Sequence, residues 1–175
     1  NKSFITNKYA SQSNKSALEI LKNKHQYSHI GIGHTRWATH GAKTDINSHP
    51  HESFNGIFTI VHNGIIENYQ DLKSFLSSKG IKTISQTDTE IIVNLLAYYY
   101  DENKNVELSL KKVTEQLKGT WGLAILCINE PNKIYCTRHG SPLLVGIEND
   151  IVMITSEQSG FCNLFNKYIS LKHLL

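Results

Sequence analysis

The stretch Ile57–Asn68, IFTIVHNGIIEN, carries the strongest local structural signal in the sequence. Its first half, Ile57–His62, is rich in the β-branched and aromatic residues that favour a strand, and a second apolar run follows Asn63-Gly64. Because Asn-Gly tolerates the positive φ angles of a type I′ turn, the pattern predicts a hairpin that reverses at this pair. The pair also suits an oxyanion hole, since an Asn side-chain amide and a Gly backbone N–H can both donate to a developing negative oxygen. Spacing alone favours the turn, and the two interpretations are compatible.

The residues after this stretch predict a block of helices. Thr87-Asp88-Thr89-Glu90 matches a capping box, in which Thr87 caps a helix and Glu90 stands three residues later. The helix behind it is apolar on much of its circumference, so we expect it to be largely buried. The predicted elements are helices at Gln70–Lys79, Thr89–Tyr100 and Val106–Lys118, with a short strand at Ile81–Ser85.

The last third of the chain predicts strands. Short apolar segments alternate with turn residues, which indicates an antiparallel meander. Because the strands come in runs and the helices lie in one block between them, the predicted class is α+β. The predicted strands are Trp121–Ile128, Lys133–Arg138, Leu143–Ile147, Ile151–Thr155 and Ile169–Leu171.

The first part of the chain carries weaker signals. We predict an edge strand at Ser3–Thr6, a short helix at Ala17–Lys24 capped by Ser16, and a strand at Tyr27–His34. Residues 35–56 have neither helical nor strand periodicity and are rich in His, Thr, Asn and Gly. An ordered loop of this length inside a compact domain is usually functional.

Two charged residues could bind a small amino acid. Arg36, on the long loop, is suited to grip a carboxylate through two parallel hydrogen bonds, although a solvent-facing arginine is the simpler alternative. Asp88 could accept from an ammonium group, although it could also only cap its helix and complement the helix dipole. Together, Arg36 and Asp88 would clamp an α-amino acid.

Histidines and cysteines raise the question of metal or thiol chemistry. His49-Pro50-His51 forms an H-x-H motif, which is a weak zinc signal without further ligands, and we assign no metal and no cofactor. The three cysteines have no metal-binding spacing and fit buried free thiols in a reducing compartment. The clustered histidines are His34, His40, His49, His51 and His62.

Composition sets the broad limits. The 175 residues suit one domain, residues 1–175. The net charge of +3 comes from scattered lysines, so we expect no nucleic-acid partner. We find neither an apolar run long enough to span a bilayer nor a signal peptide, so we expect no membrane association and a cytoplasmic location.

Five ordered motifs resemble one family. The chain is similar to the glutaminase domain of glutamine:fructose-6-phosphate aminotransferase, a class II glutamine amidotransferase. The resemblance implies the N-terminal-nucleophile hydrolase fold, a four-layer αββα sandwich with two antiparallel sheets. It also implies glutamine hydrolysis that supplies ammonia for making glucosamine-6-phosphate from fructose-6-phosphate, with a sugar-phosphate isomerase domain and a homodimer as partners. The motifs are HTRWATHG (34–41), NSHPH (47–51), VHNGIIEN (61–68), TDTE (87–90) and RHGSPLLVG (138–146).

The resemblance also implies residue roles. Arg36 would hold the α-carboxylate of glutamine and Asp88 its α-ammonium. Asn63 and Gly64 would form the oxyanion hole, and Trp37 would lie near the route of the released ammonia. The other candidate substrate-binding residues are Thr39, His40 and His49.

The sequence departs from the family at its start. The family's nucleophile is an N-terminal cysteine, whereas this sequence begins at Asn1. We therefore expect a glutaminase domain that is incomplete at its N-terminus, lacks the first strand and helix of the sandwich and the isomerase domain, and is inactive alone. Two alternatives remain: a non-catalytic glutamine-binding or docking module, and a metal hydrolase built on the histidine cluster.

Overall fold

The fold was obtained as a computed structural model, which describes residues 3–11, 16–22, 24, 27–36 and 41–172. Its strands form two separate antiparallel sheets, and its three longer helices lie together in the sequence between β2 and β3. The α+β class with two antiparallel sheets is therefore confirmed. The elements are α1 (Ala17–Leu21), β1 (His51–Glu52), β2 (Phe58–Ile66), α2 (Tyr69–Ser78), α3 (Asp88–Asn103), α4 (Val106–Thr114), β3 (Gly119–Cys127), β4 (Ile134–His139), β5 (Leu144–Glu148), β6 (Ile151–Thr155), a 3-10 helix (Gln158–Phe161) and β7 (Tyr168–Ser170).

The larger sheet has the strand order β1-β2-β3-β4. Strand β2 pairs with β3 along its whole length, from Phe58 opposite Cys127 to Ile66 opposite Gly119. The hairpin predicted at Asn63-Gly64 is therefore wrong, because both residues lie inside one continuous strand.

A close approach of backbones explains why glycine follows Asn63. Gly64 has φ +135, and a Cβ added there would lie 2.1 Å from the carbonyl oxygen of Thr120 on β3. Only a residue without a side chain permits this approach. The Asn-Gly signal was thus real but arose from strand packing and not from a turn.

Helix α3 is the centre of the core. It is apolar on most sides because β2, α2 and α4 all pack against it. The main core cluster combines these helices with β2 and β3. Its largest fully buried side chains include Phe58, Ile60, Ile66, Leu76, Ile92, Leu95, Leu96, Leu123 and Ile125.

The start of α3 is fixed by the predicted cap. The side chain of Thr87 accepts a hydrogen bond from the backbone N–H of Glu90, which confirms this half of the capping box. The Glu90 carboxylate does not return to Thr87 and accepts instead from the backbone N–H groups of Ile84 and Ser85. The strand predicted at Ile81–Ser85 is wrong, since these amides bond to a side chain instead of to a neighbouring strand.

The smaller sheet has the order β6-β5-β7. Arg138 on β4 links the two sheets, because its Nε donates to Ser141 O at 2.7 Å and its Nη1 donates to Leu171 O at 3.0 Å, just beyond β7. The ring of Phe165 packs directly on β5, where a Cβ at Gly146 would lie 2.8 Å from it.

Other expectations for the first part of the chain are corrected. The segments Ser3–Thr6 and Tyr27–His34 are irregular, and neither is paired with a strand among the residues that are described. The Ile-Gly alternation in the second segment gives few side chains to pack against a sheet. Ser16 caps α1 as predicted, but the helix ends at Leu21. The remaining predicted helices and strands are confirmed, with ends that differ by at most four residues. Within the described ranges, no helix combines the length and apolar character needed to cross a membrane.

Candidate active site

The site is built on the free edge of β2. Strand β1 pairs only with Thr59 and Ile60, and beyond them no other strand of the described residues pairs with this side of β2, which we call its free edge. The His62 backbone N–H donates to Nδ1 of His49 at 3.4 Å, and the Ile66 N–H donates to a carboxylate oxygen of Asp88 at 2.9 Å. Two candidate substrate-binding residues, His49 and Asp88, therefore lie along the same strand edge.

The two candidate oxyanion-hole residues lie between these contacts. Backbone N–H groups alternate in direction along a regular strand, so we expect the Gly64 N–H to face the same edge as those of His62 and Ile66. The intervening Ile65 N–H faces β3, where it donates to Thr120 Oγ1 at 3.4 Å. With this alternation, the Gly64 N–H would be a donor at the free edge, from which a ligand oxygen could accept a hydrogen bond.

Asn63 is held by a histidine that the sequence suggested only as part of a cluster. Nε2 of His34 lies 2.8 Å from Oδ1 of Asn63, and Nδ1 of His34 accepts from the Arg36 backbone N–H at 2.8 Å. Burial lowers the pKa of His34, the hydrogen bond to Asn63 opposes this, and the positive charge of Arg36 lowers the pKa further. The ring is therefore neutral near pH 7.

Arg36 is half-buried and has a rare backbone conformation for a non-glycine residue, with φ 47. Its guanidinium donates to the carbonyl oxygens of Ala42 at 3.2 Å and Gly41 at 3.5 Å. Burial lowers the pKa of the guanidinium, and the Asp88 carboxylate acts in the opposite direction. The two members of the proposed clamp are thus within electrostatic range of each other.

The side chains of Asn47 and Gln86 hold the loop whose carbonyl oxygens accept hydrogen bonds from Arg36. Sequence reasoning gave neither residue a role in the site. Asn47 is 1% exposed; its Nδ2 donates to Ala42 O and to Gln86 Oε1, and its Oδ1 accepts from the Gln86 backbone N–H. Gln86 Oε1 also accepts from the Ala42 N–H. The only sequence signal for these contacts is the position of Asn47 in the NSHPH motif. Gln86 precedes the helix cap Thr87 and belongs to no recognisable motif.

Asp88 does more than cap its helix. It is 4% exposed, and one carboxylate oxygen accepts from the Ile66 N–H of β2. Its other oxygen lies 3.5 Å from Thr89 Oγ1 and 3.9 Å from Nδ1 of His62. A carboxylate has about four lone-pair positions, so capacity for an ammonium donor remains.

The half-buried rings of His34 and His49 and the buried ring of His51 are kept neutral beside this edge. The rings of His34 and His49 stack with centroids 4.3 Å apart, and His51 Nε2 lies 3.1 Å from Thr87 Oγ1. Burial, aided by neighbouring cationic groups, lowers the pKa of His51 to about 3 and that of His49 further. Within the described part of the chain, no three His, Cys, Asp or Glu side chains are grouped to hold a metal ion.

The cysteines lie away from this chemistry. Cys127 is buried in β3, and burial raises its pKa. Burial also raises the pKa of Cys136, on β4, to about 11. The expectation that all three are buried is wrong for two of them, since Cys136 is half-buried and Cys162 is exposed. None forms a disulfide.

A cavity of about 1030 Å³ adjoins the site. His34, Arg36 and His49 line it together with residues from the N-terminal segment. Three predicted substrate-binding residues, Trp37, Thr39 and His40, lie outside the described residues. The structure therefore brings together Arg36 and Asp88 with the other candidates, His49, Asn63 and Gly64.

Solved structures define the class of fold. The chain superposes on the glutamine phosphoribosylpyrophosphate amidotransferase from B. subtilis with a TM-score of 0.66 and 22% identity, covering 80% of this chain and 30% of that one. A second structure, of the allosteric regulatory enzyme of purine biosynthesis, gives a TM-score of 0.63 at 21% identity, covering 74% and 28%. The fold is that of the N-terminal-nucleophile hydrolase sandwich.

Sequence comparison then gives the family. A family model described as a glutamine amidotransferase domain matches residues 34–163, and the chain belongs to this family. It is 47% identical over 139 residues to the glutamine–fructose-6-phosphate aminotransferase (isomerizing) of Caldanaerobacter subterraneus subsp. tengcongensis, covering 79% of this chain and 22% of that protein. It is 43% identical over 167 residues to the probable enzyme of the same name in Acanthamoeba polyphaga mimivirus, covering 92% and 27%. The chain spans about a quarter of the length of these relatives.

Proposed function

We propose that this chain is the glutamine-binding and glutamine-hydrolysing part of an aminotransferase that supplies ammonia for making glucosamine-6-phosphate from fructose-6-phosphate. The observation that carries the proposal is the edge of β2 where the Asp88 carboxylate accepts from the Ile66 N–H, near Asn63 and Gly64 in the same strand, and lies within electrostatic range of Arg36. The site thereby offers Arg36 to a carboxylate, Asp88 to an ammonium group, and amide donors to a side-chain amide oxygen. These are the groups needed to bind an α-amino acid that carries a side-chain amide.

The roles follow from charge and donor type. Arg36 would hold the α-carboxylate and Asp88 the α-ammonium, with His49 beside them. When a thiolate attacks the side-chain amide, the amide oxygen becomes negative, and the Asn63 Nδ2 and Gly64 N–H would stabilise it. None of the three cysteines corresponds to the family's N-terminal nucleophile, because each lies inside the chain.

The names of the relatives support the wider proposal. They describe an isomerizing aminotransferase, and the matched region covers only about a quarter of each relative, so a sugar-phosphate isomerase domain is the proposed partner and recipient of the ammonia. We include in the proposal a homodimer of the complete enzyme and, from the three free thiols, a cytoplasmic location.

The clamp is tested by calorimetry with three ligands. Glutamine has both charged groups, glutaramate lacks the ammonium, and 4-aminobutanamide lacks the carboxylate. The variant Arg36→Gln should bind glutamine about 10–100-fold more weakly, because a charge-assisted hydrogen bond contributes about 1.5–3 kcal/mol, but should bind 4-aminobutanamide as the wild type does. Asp88→Asn should show the converse pattern, losing its preference for glutamine over glutaramate.

Lys43→Gln is the matched control, since it removes one positive charge from an exposed position of the same loop. It should leave all three affinities unchanged. Equal glutamine affinities for the Arg36 and Lys43 variants would show that Arg36 does not hold the carboxylate. Binding is measured directly, so the result does not depend on turnover.

A further inference from the structure

The orientation of the Asn63 side chain decides whether it can serve an oxyanion. An Asn amide carries an acceptor oxygen and a donor nitrogen on the same carbon, and only one of its two orientations presents the donor to a ligand. The Asn63 side chain is half-buried in the middle of β2, so a neighbouring group has to select the orientation.

The hydrogen bonds of His34 make that selection. Nδ1 of His34 lies 2.8 Å from the Arg36 backbone nitrogen, which can only donate, so Nδ1 must be an unprotonated acceptor. In a neutral imidazole the proton then lies on Nε2, and this nitrogen is 2.8 Å from Asn63 Oδ1. Nε2–H therefore donates to Oδ1, and Nδ2 of Asn63 is turned away from His34.

Two further features keep His34 in this arrangement. The rings of His34 and His49 are stacked with an angle of 26° between their planes, which restricts rotation of the His34 ring. Burial and the adjacent Arg36 charge disfavour a second ring proton, so the single N–H on Nε2 persists at neutral pH.

We propose that His34 is a positioning residue, which holds Oδ1 of Asn63 so that Nδ2 is available to stabilise the oxyanion of the reacting amide. This inference rests on the proposed glutaminase function. His34 acts through Asn63, whereas Arg36 and Asp88 act on the charged end of the substrate. Loss of the Nε2–H alone, with an acceptor kept near Nδ1 for the Arg36 N–H, should therefore slow the chemical step and leave glutamine binding nearly intact.

Steady-state glutamine hydrolysis by the full native protein tests this. His34→Asn places its amide near the position of Nδ1 and cannot reach Asn63, so kcat should fall about 100-fold, the effect of losing one oxyanion donor, while KM changes less than about threefold. His34→Gln places an amide nitrogen near the position of Nε2 and should restore kcat to within about tenfold of the wild type.

A double variant separates positioning from a general structural effect. If His34 acts only through Asn63, His34→Asn combined with Asn63→Ala should be no slower than Asn63→Ala alone. Multiplicative losses, or an unchanged kcat in His34→Asn, would overturn the inference while leaving the glutaminase proposal intact. Absence of glutamine hydrolysis by the wild type would instead overturn the proposed function itself.

The His34 tautomer gives a test that does not depend on how the variants fold. Ring ¹⁵N chemical shifts of the wild type at pH 7 should show a protonated Nε2 and an unprotonated Nδ1. A predominant Nδ1–H tautomer would contradict the proposal, because Nε2 could then not donate to Asn63.

Discussion

At the scale of single residues, Gly64 has the most stringent requirement. It combines φ +135 with a position where a Cβ would lie 2.1 Å from the Thr120 carbonyl oxygen. This neighbour is backbone on the paired strand and cannot move aside as a flexible side chain can. The same glycine supplies the N–H proposed for the oxyanion hole, so the fold and the proposed site depend on the same missing side chain.

We predict that Gly64→Ala destabilises the protein by more than about 3 kcal/mol, since it adds overpacking to a strained backbone conformation. Urea unfolding followed by circular dichroism measures this. Gly31→Ala is the control, because Gly31 has no atom within 4 Å of an added Cβ and no positive φ, so its unfolding midpoint should stay near that of the wild type. If the Gly64 variant were as stable as the control, β2 and β3 could move apart locally to accommodate the Cβ without a loss in the free energy of unfolding.

Single residues also show the limit of sequence reasoning. Asn63-Gly64 was recognised as special, but turn chemistry and strand packing both select Asn-Gly, and only the pairing with β3 decides between them. The charges of Arg36 and Asp88 suggested a clamp from their chemistry. The contact of His34 with Asn63 could not be foreseen, since 29 residues separate them and neither carries a local signal for the other.

At the scale of elements, the start of α3 connects the core to the site. Thr87 caps the helix and its hydroxyl also contacts His51 and Ser85, all buried. Asp88 in the first turn reaches β2. A disturbed cap would therefore affect both the helix and the strand edge beside it.

We predict that Thr87→Ala lowers the free energy of unfolding by about 2 kcal/mol, because a cap is lost and the buried His51 ring loses a partner. Thr87→Ser should retain most of the stability. Ser16→Ala removes the cap of α1, a five-residue helix with no buried residues, and should change stability by less than about 0.5 kcal/mol. Chemical denaturation of the three variants decides this, and similar losses for Thr87→Ala and Ser16→Ala would contradict it.

Elements with strong periodicity or a capping signal were predicted well, and elements without them were not. The Thr87 cap and the apolar pattern behind it locate α3 to within three residues at either end. Ile81–Ser85 has the composition of a strand, but the carboxylate of Glu90 takes up the amides of Ile84 and Ser85. The hydrophobic pattern of the sequence does not reveal when a side chain, instead of a neighbouring strand, accepts the hydrogen bonds of such a segment.

At the scale of the whole molecule, the two neutral histidines His49 and His51 make stability depend on pH. His51 has a folded pKa of about 3, and that of His49 is also strongly lowered, whereas an unfolded histidine titrates near 6.5. Below pH 6.5 the unfolded chain binds protons that the folded chain cannot, so stability falls as the pH decreases from 6.5 towards 3. Above about pH 7 these histidines add no pH dependence.

We predict that each of His49 and His51 contributes about 2 kcal/mol of destabilisation at pH 5 relative to pH 7, because 1.5 pH units below 6.5 correspond to that free energy. Urea unfolding at the two pH values measures the difference. His51→Gln should reduce it, and His29→Gln, at an exposed position, should not. Equal stability at pH 5 and pH 7 would show that the histidines are protonated in the folded protein.

The free edge of β2 has a further consequence for the behaviour of the protein in a crowded solution. Unpaired amides along a strand edge form a template on which another chain can add a strand and start aggregation. Here the His62 amide is occupied by His49 and the Ile66 amide by the buried carboxylate of Asp88. The side chains proposed to bind glutamine therefore also cover two of the amides with which an added strand would have to pair.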